Sequence, residues 1–362
     1  MAAADPANRI DFIKKWLPSQ LPLEKVLRIF KKDIFIDSII EEIDNATLYY
    51  IQIGREKVDE LYYFQANGML FHGEPEWSLM HQFLDTLPLI KPSKTIEEPH
   101  WFLGTRDNFT HQIVDFFPNR LNISLGLDLE RKEKINFVIG KYNQILEFAE
   151  SLGSEKANYN KLDRALKLAN IASIKINDYT KITCVRFKKL FLARHVSIFR
   201  AFELLHEWSG NEKNTEDNGK SDENMIGYLA REDTRIKNQD EIKEKLIKDH
   251  SCEVVERIGS LDKIARKQIL KKFSHLILPT GSDNINAFCF SAAKTKLIQM
   301  IPCKTTDLLS SPFYSYANLR YALPFLNRIV FWEAYVQDQS QGINCGLWDP
   351  TKLPSLMQNY KK

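Results

Sequence analysis

The sequence lacks the paired cysteines and long apolar runs that identify several classes of protein. Its five cysteines are scattered, and none form a Cys-x-x-Cys pair. Neither a zinc site nor a disulfide framework is therefore predicted, and a reducing compartment is the simpler expectation. No run approaches the roughly 20 apolar residues of a membrane span, and the N-terminus has no signal-peptide core. We expect a cytoplasmic protein.

Strong charge and the common phosphate-binding motifs are also missing. The 50 Lys and Arg residues against 47 Asp and Glu give a net charge of +3, too balanced to predict nucleic-acid binding. The absence of Gly-x-Gly-x-x-Gly and of a Walker A motif argues against a dinucleotide oxidoreductase and a P-loop NTPase. The nearest approach to Asp-x-Asp is Asp-Leu-Glu at 128–130, so no metal-bridged diphosphate is predicted. We expect neither a metal nor a cofactor.

The N-terminal 100 residues are expected to combine helix and β-structure and to pack on the first domain. Asn67-Gly68 lies between apolar runs, a strong hairpin signal. In 23–32 the apolar residues recur at helical spacing, with Lys and Arg on the other faces. A helix packed on the protein is one reading, and peripheral contact with the inner face of a membrane is the other.

Strand–helix alternation predicts the rest of the fold. It is visible between about 100 and 200 and clearer from 225 to 302, which is typical of α/β domains with parallel sheets. Residues 209–224 contain no large apolar residue and are predicted to be a linker. The chain length also suggests two domains. The predicted divisions are 1–100, a first domain at 101–208, the linker, a second domain at 225–311, and a C-terminal tail at 312–362 that packs back across the domains.

Two arginines follow the first strand of the second domain. Arg231 comes directly after an apolar strand, Arg235 follows four residues later, and Asn238 precedes a predicted helix with Glu241 in capping-box spacing. Ligands of open α/β sheets bind beyond the carboxyl ends of strands, and guanidinium groups match phosphate oxygens. The cluster predicts a diphosphate site, with a surface salt-bridge cluster as the alternative.

A second polar segment follows another strand of the same domain. Gly281 permits close approach of a ligand to the backbone, and three polar side chains can cap the next helix or bind a ligand. They are Ser282, Asn284 and Asn286. A plain helix cap and a ligand site explain this turn equally well.

The third polar segment lies in the predicted first domain. His111 and Asp115 are spaced i, i+4 and would share a helix face. His111 could act as a general base, because the reference pKa of histidine lies near neutrality. Asp115 could orient the ring or be the base itself, and a structural histidine is a further alternative.

Taken together, these segments resemble glycosyltransferase family 61 over about 100–302. The family's Asn-x-x-His-x-x-x-Asp-x-x-Pro segment is similar to the stretch that contains Asn108, His111, Asp115, Pro118 and then Arg120. Its Arg–loop–Arg-x-x-Asn-x-x-Glu segment is similar to Arg231, Arg235, Asn238 and Glu241. Its strand–Gly–helix–strand–Pro segment is similar to 275–302, with Gly281, Asn286 and Pro302 in place. The chain departs from the family at Thr280 and Gln299, where His and Glu are common.

The resemblance implies a GT-B-like α/β fold, with two Rossmann-like domains facing each other across a cleft and a small β-rich N-terminal region. It also implies an inverting, metal-independent glycosyltransferase. The first domain would hold a glycan, glycoprotein or lipid-linked acceptor, with Asn108 and Arg120 near the cleft. The second would hold a nucleotide-sugar donor, as in capsule or lipopolysaccharide synthesis. A non-catalytic member that binds sugar nucleotide or glycan is the alternative, favoured by the departure at Thr280.

Overall fold

The computed structural model is a mixed α/β protein with both parallel and antiparallel strands. It describes residues 5–54, 59–72, 85–102, 136–139, 166–208, 225–231, 235–258, 261, 263–279, 284–310, 314–338 and 345–359. The chain divides into two compact units. Unit 1 is Met1–Asp37 together with Ser197–Lys362, and unit 2 is Ser38–Val196.

Three short helices open the chain within unit 1. They are α1 (Pro6–Trp16), α2 (Leu23–Ile29) and α3 (Lys31–Phe35). Asp5 caps α1 by accepting a hydrogen bond from the Ala7 N–H at 3.1 Å. Val26 and Phe30, which lie on the predicted apolar face of 23–32, are buried within the protein. Part of the apolar surface that a membrane contact would need is therefore already covered.

Unit 2 is built on a mixed sheet. Its strands are β1 (Ser38–Ile53), β2 (Asp59–Ala66), β3 (Met69–His72), β4 (Lys94–Ile96), β5 (His100–Phe102), β6 (Asn136–Ile139), β7 (Leu166–Lys167), β8 (Ile174–Asn177) and β9 (Thr180–Val196). The main order is β3-β2-β1-β9-β5-β6-β7, and β4 and β8 also pair with β9. The β1–β9 pair is antiparallel from Ser38 opposite Val196 to Ile53 opposite Thr180. Aromatic and aliphatic side chains cover both faces of the central part of β1.

The hairpin predicted at Asn67-Gly68 is confirmed. β2 and β3 pair antiparallel, and both turn residues have positive φ, 51° at Asn67 and 76° at Gly68. Such angles are typical of a two-residue hairpin turn. The strand predicted at 135–139 is also confirmed, as β6.

The second part of unit 1 alternates strands and helices as the sequence predicts. It contains α4 (Ile198–Trp208), β10 (Ile226–Leu229), α5 (Gln239–His250), β11 (Glu253–Val255), α6 (Lys263–Lys271), β12 (His275–Leu278), α7 (Asn284–Phe290), β13 (Lys296–Ile301), α8 (Tyr314–Ala322), β14 (Ile329–Glu333), β15 (Val336–Asp338), β16 (Cys345–Leu347) and α9 (Leu353–Gln358). Among the described residues, five strands form one parallel sheet in the order β11-β10-β12-β13-β14.

Helices and loops cover both faces of this parallel sheet. One face packs Tyr228, Ile298 and Trp332 against Leu246 of α5 and against Trp348. On the other side, α7 contacts β12 and the 3-10 turn at Leu323–Arg328 contacts β14, both contact α4, and α6 contacts α7. A sheet buried on both faces explains why its strands read as nearly continuous apolar runs.

Buried charges tie the N-terminal helices to the rest of unit 1. Asp33 is 3% exposed, accepts hydrogen bonds from Arg320 Nε at 2.8 Å and Nη2 at 2.9 Å, and accepts the Ile198 N–H at 2.9 Å. Arg9 is fully buried, forms an ion pair with Asp37 and donates to the Ile34 carbonyl at 3.1 Å. These contacts place 1–37 with the C-terminal part of the chain.

The predicted domain limits therefore need correction. Residues 1–37 belong with 197–362 rather than with the β-structure that follows them, and 197–208 also lie in unit 1. The second domain does not end at 311, because β14 is the fifth strand of its sheet. The alternation at 100–200 yields parallel pairs of β5 with β6 and of β6 with β7, within a sheet that also contains long antiparallel strands. The predicted linker, 209–224, lies outside the described residues.

None of the helices in the described part of the chain is long and apolar enough to cross a membrane.

Candidate functional site

In the parallel sheet of unit 1, the order in which the chain adds strands reverses at β10. The chain passes from β10 to β11 on one side and continues through β12, β13 and β14 on the other. In open α/β sheets, ligands bind at such a reversal, outside the carboxyl ends of the strands. β10 and β12 pair in parallel, with Tyr228 opposite Ile277. Arg231 and Pro279, which follow β10 and β12, therefore lie at the same edge of the sheet, and we call it the carboxyl edge.

Gln239 holds the backbone of Arg231 at this edge. Its Oε1 accepts the Arg231 N–H at 2.9 Å, and its Nε2 donates to the Arg231 carbonyl at 2.7 Å. The Tyr228 hydroxyl donates to the same Oε1 at 3.2 Å. Burial raises the pKa of Tyr228, so this hydroxyl stays protonated and remains a donor. The chain after β10 is thus positioned by the first residue of α5, a role that sequence reasoning missed.

Asn238 precedes α5, but its side chain does not cap the helix, so the predicted capping arrangement is wrong in this respect. Its Oδ1 accepts the Trp348 N–H at 3.1 Å, while its Nδ2 donates to the Trp348 carbonyl at 2.8 Å and to Glu241 at 3.1 Å. The amide is fully engaged within the protein. The structure therefore gives Asn238 a structural role, in which its side chain holds the backbone of Trp348 beside the start of α5.

Arg235 is positioned by a different element from Arg231. Its carbonyl accepts the Gly346 N–H at 3.0 Å, and the Lys237 N–H donates to the Gly346 carbonyl at 3.1 Å. Ile236 forms a parallel bridge with the same glycine. The segment that carries Arg235 thus runs beside β16, whereas the backbone of Arg231 is held by Gln239 at the start of α5.

Buried amides without full hydrogen bonding follow β12. Asn284 and Asn286 are each 1% exposed, although both belong to the predicted polar turn. Asn286 Oδ1 accepts from Arg266 Nη1 at 3.2 Å. Among the described residues, neither polar atom of Asn284 has a hydrogen-bond partner, and neither does Asn286 Nδ2. A buried polar atom left unsatisfied costs about 1–3 kcal/mol, so such groups are usually met by water or a ligand.

A third amide, Gln299 on β13, shares this property. Its Nε2 donates to Asn318 Oδ1 at 3.2 Å, while its Oε1 has no partner in the described part of the chain. Gln299 lies opposite Leu278, the last residue of β12, and is 1% exposed. It is one of the two positions at which the chain departs from the resembled family. Sequence reasoning noted the departure but could not see the burial.

A depression of about 370 Å³ opens at the same edge, between the ends of β10 and β11. Its lining consists of Ala230, Arg231, Lys243, Glu256 and Arg257. Three cationic side chains and one carboxylate give it a net positive charge. Glu256 and Arg257 directly follow an apolar strand, so the strand-end rule that found Arg231 would have found them too.

Several predicted site residues lie outside the described part of the chain. They are Asn108, His111, Asp115 and Arg120 of the first predicted domain, and Gly281 and Ser282 of the turn after β12. Within the described residues, no group of three or more His, Cys, Asp or Glu side chains is arranged to hold a metal ion.

No known protein-family model matches the chain, and no curated protein is similar enough to it to be named as a relative.

Proposed function

We propose that this chain is an inverting glycosyltransferase that transfers a sugar from a nucleoside-diphosphate donor to a glycan, glycoprotein or lipid-linked acceptor. The observation that carries the proposal is the parallel pairing of β10 with β12, which brings Arg231 and Asn284, the first residue of the helix after β12, to one carboxyl edge. A cation, buried amides and a depression of about 370 Å³ lie at or beside this edge. That combination suits a ligand with phosphates and hydroxyl groups.

In the proposed reaction, Arg231 stabilises the charge that develops on the leaving diphosphate. The acceptor oxygen attacks the anomeric carbon as the bond from that carbon to the phosphate oxygen breaks, and the electron pair leaves with the diphosphate. Fixed positive charge at the developing anion is a large contribution to catalysis. Gln239 supports the role by holding the backbone of Arg231, so that less conformational freedom is lost when the donor binds.

His111 is the proposed base that removes the acceptor proton, with Asp115 as the alternative within that segment. Both assignments rest on sequence resemblance. The same resemblance supports the GT-B-like arrangement of two Rossmann-like domains and the metal-independent mechanism. The cytoplasmic location, which the scattered cysteines favour, and the peripheral membrane contact through 23–32, which the helical spacing of its apolar residues favours, also belong to this proposal.

A sugar-nucleotide- or glycan-binding protein without transferase activity is the second candidate. Thr280 stands where the resembled family commonly has a histidine, and Gln299 where it has a glutamate. A glutamine at position 299 can still form hydrogen bonds to a ligand, but it lacks the negative charge that a glutamate would carry. Binding without turnover is the outcome that would favour this candidate.

The proposal is tested with a panel of nucleotide sugars, by thermal shift for binding and by donor hydrolysis for turnover. Charge-assisted phosphate contacts contribute about 1.5–3 kcal/mol each, so Arg231→Ala and Arg235→Ala should each weaken donor binding by roughly tenfold or more. Arg28→Ala, which removes an exposed arginine of α2, is the control. Unchanged donor affinity in both site variants would rule out this donor site.

His111→Ala should reduce the rate of sugar transfer by about 10²–10⁴-fold while nucleotide binding persists.

A further inference from the structure

We propose that Glu256 recognises the ribose of the bound nucleotide, by accepting hydrogen bonds from its hydroxyl groups. The inference rests on the proposed function, because it assigns the nucleoside half of the same donor. It places that half over the end of β11 and the phosphates beside Arg231. Nothing in the sequence resemblance assigns a role to Glu256.

The strand pairing brings Glu256 and Arg231 close to each other at the carboxyl edge, with Glu256 level with Ala230 and Arg231 one residue further along. β10 and β11 are parallel neighbours, with Leu229 opposite Val255. The Ala230 N–H donates to the Val255 carbonyl at 2.9 Å, which extends the pairing to the last residue before each charged side chain. Arg231 and Glu256 therefore leave adjacent strands together and line one depression.

One face of α5 organises both strand ends. Gln239 and Lys243 are spaced i, i+4 and so lie on the same side of the helix. Gln239 holds the backbone of Arg231, and Lys243 Nζ lies 3.2 Å from Glu256 Oε1. The lysine engages one carboxylate oxygen, while the carboxylate as a whole can accept several further hydrogen bonds. Glu256 is 68% exposed, so a ligand can reach it.

The charges of the depression suit a ribonucleotide better than a neutral sugar. Arg231, Lys243 and Arg257 outweigh the single carboxylate, so the occupant should be an anion. Lys243 engages one oxygen of the Glu256 carboxylate, and ribose hydroxyls are donors that can use its remaining acceptor capacity. An acidic side chain at the end of the second strand holds ribose in this way in dinucleotide-binding sheets. The depression is also large enough for part of a small molecule.

The backbone at Arg257 also shapes the end of β11. Its φ is 52°, a left-handed conformation that a non-glycine residue seldom adopts. The chain therefore turns immediately after Glu256 instead of continuing β11. This turn leaves the carboxylate at the rim of the depression.

The experiment compares ribonucleotides with their deoxy counterparts on the full chain. Binding of UDP and GDP, and of 2′-deoxy-UDP and 2′-deoxy-GDP, is measured by calorimetry for the wild type, Glu256→Gln and Glu256→Ala. We expect the wild type to prefer whichever ribonucleotide it binds by about ten- to a hundredfold, the effect of a hydrogen bond to a charged group. Both variants should reduce that preference to about twofold or less. Glu253→Gln, an exposed glutamate of β11 that pairs with Lys272 at 2.6 Å, should leave it unchanged.

The outcomes separate the two proposals. Ribonucleotide binding without a preference in the wild type, or with an undiminished preference in Glu256→Gln, would overturn the role of Glu256 and leave the proposed function standing. A Glu256→Gln defect confined to the intact UDP-sugar, with UDP unaffected, would mean that the carboxylate reads the transferred sugar, which also overturns the inference. Absence of any nucleotide binding to the wild type would overturn both.

Discussion

The sheets of the two units differ in the length and direction of their strands. In unit 1, β10 to β14 are three to six residues long, run parallel and end at one edge. In unit 2, β1 and β9 are 16 and 17 residues long and pair antiparallel along almost their whole length. Short parallel strands deliver several chain ends to one place. A long antiparallel ladder distributes its residues along the sheet and contributes mainly packing.

The two sheets also differ in where their polar and apolar residues lie. The polar residues of the candidate site lie at strand ends in unit 1. In the described part of unit 2, buried aromatic groups stack in the sheet, such as Tyr50 on Tyr62 at 5.3 Å between ring centroids. The ion pair of Lys175 with Asp178 in that unit is exposed. The two kinds of position should respond differently to substitution.

The largest effect is expected at Asp33 in unit 1. Asp33→Ala leaves Arg320 and the Ile198 N–H without their acceptor in a buried place, so we expect a loss of about 3–5 kcal/mol in the free energy of unfolding. Asp178→Ala, which breaks the exposed ion pair of unit 2, should cost less than about 0.5 kcal/mol. Urea denaturation measures both. If Asp33→Ala does not fold, Asp33→Asn keeps acceptor capacity and should fall between them. Equal effects at the two aspartates would contradict the comparison.

The next effect compares two glycines. A Cβ at Gly227 of β10 would lie 2.9 Å from side-chain atoms of Leu276 and Phe273. Gly227→Ala should therefore cost about 2–3 kcal/mol through overpacking. At Gly68 in the unit 2 hairpin no atom of the described residues lies within 4 Å of an added Cβ, but φ is 76°, so Gly68→Ala should cost about 1 kcal/mol through its backbone alone. Thermal unfolding ranks the two variants, and a larger loss at Gly68 would count against the packing described for β10.

The smallest effect concerns pH and two histidines. Burial lowers the pKa of His100 in unit 2, and burial followed by the charge of Lys296 lowers that of His275 in unit 1. The unfolded chain then binds more protons than the folded one as the pH falls below about 6.5, so acidification destabilises the fold. His100→Asn should flatten the decline of stability between about pH 6.5 and 5. His275→Asn should flatten it less, since His275 is less buried. Stability that declines equally steeply in His100→Asn would exclude this source.

The local pattern of unit 1 was predictable, but its limits were not. Apolar runs separated by helical segments predicted β10, β12 and β13, which are buried on both faces, and also the edge strand β11. β14 was assigned to a tail, since its membership depends on pairing with β13 across an intervening helix. Likewise, nothing near residues 1–37 shows that Asp33 is the partner of Arg320. Such long-range contacts have no periodic signature in one sequence.

Residues of the candidate site that follow strands could be predicted from the sequence, whereas those whose role depends on burial could not. Arg231 followed from its position after an apolar run. Gln239 did not, because its role depends on two hydrogen bonds to a backbone eight residues away. The unsatisfied state of Asn284 and Gln299 is a property of the folded interior, and polar residues in a sequence are expected at the surface.

Unit 2 enters the chain as an insertion, and the junction has a consequence for biosynthesis. The Ser197 N–H donates to the Asp37 carbonyl at 2.8 Å, so the chain returns to the point from which it left. On the ribosome, α1 to α3 emerge before unit 2, but their partners around Ile198 and Arg320 are made only after all of 38–196. Unit 2 can complete its folding during that interval, whereas Arg9 and Asp33 can reach their buried positions only afterwards. Helices α1 to α3 are thus made before unit 2 and docked after it.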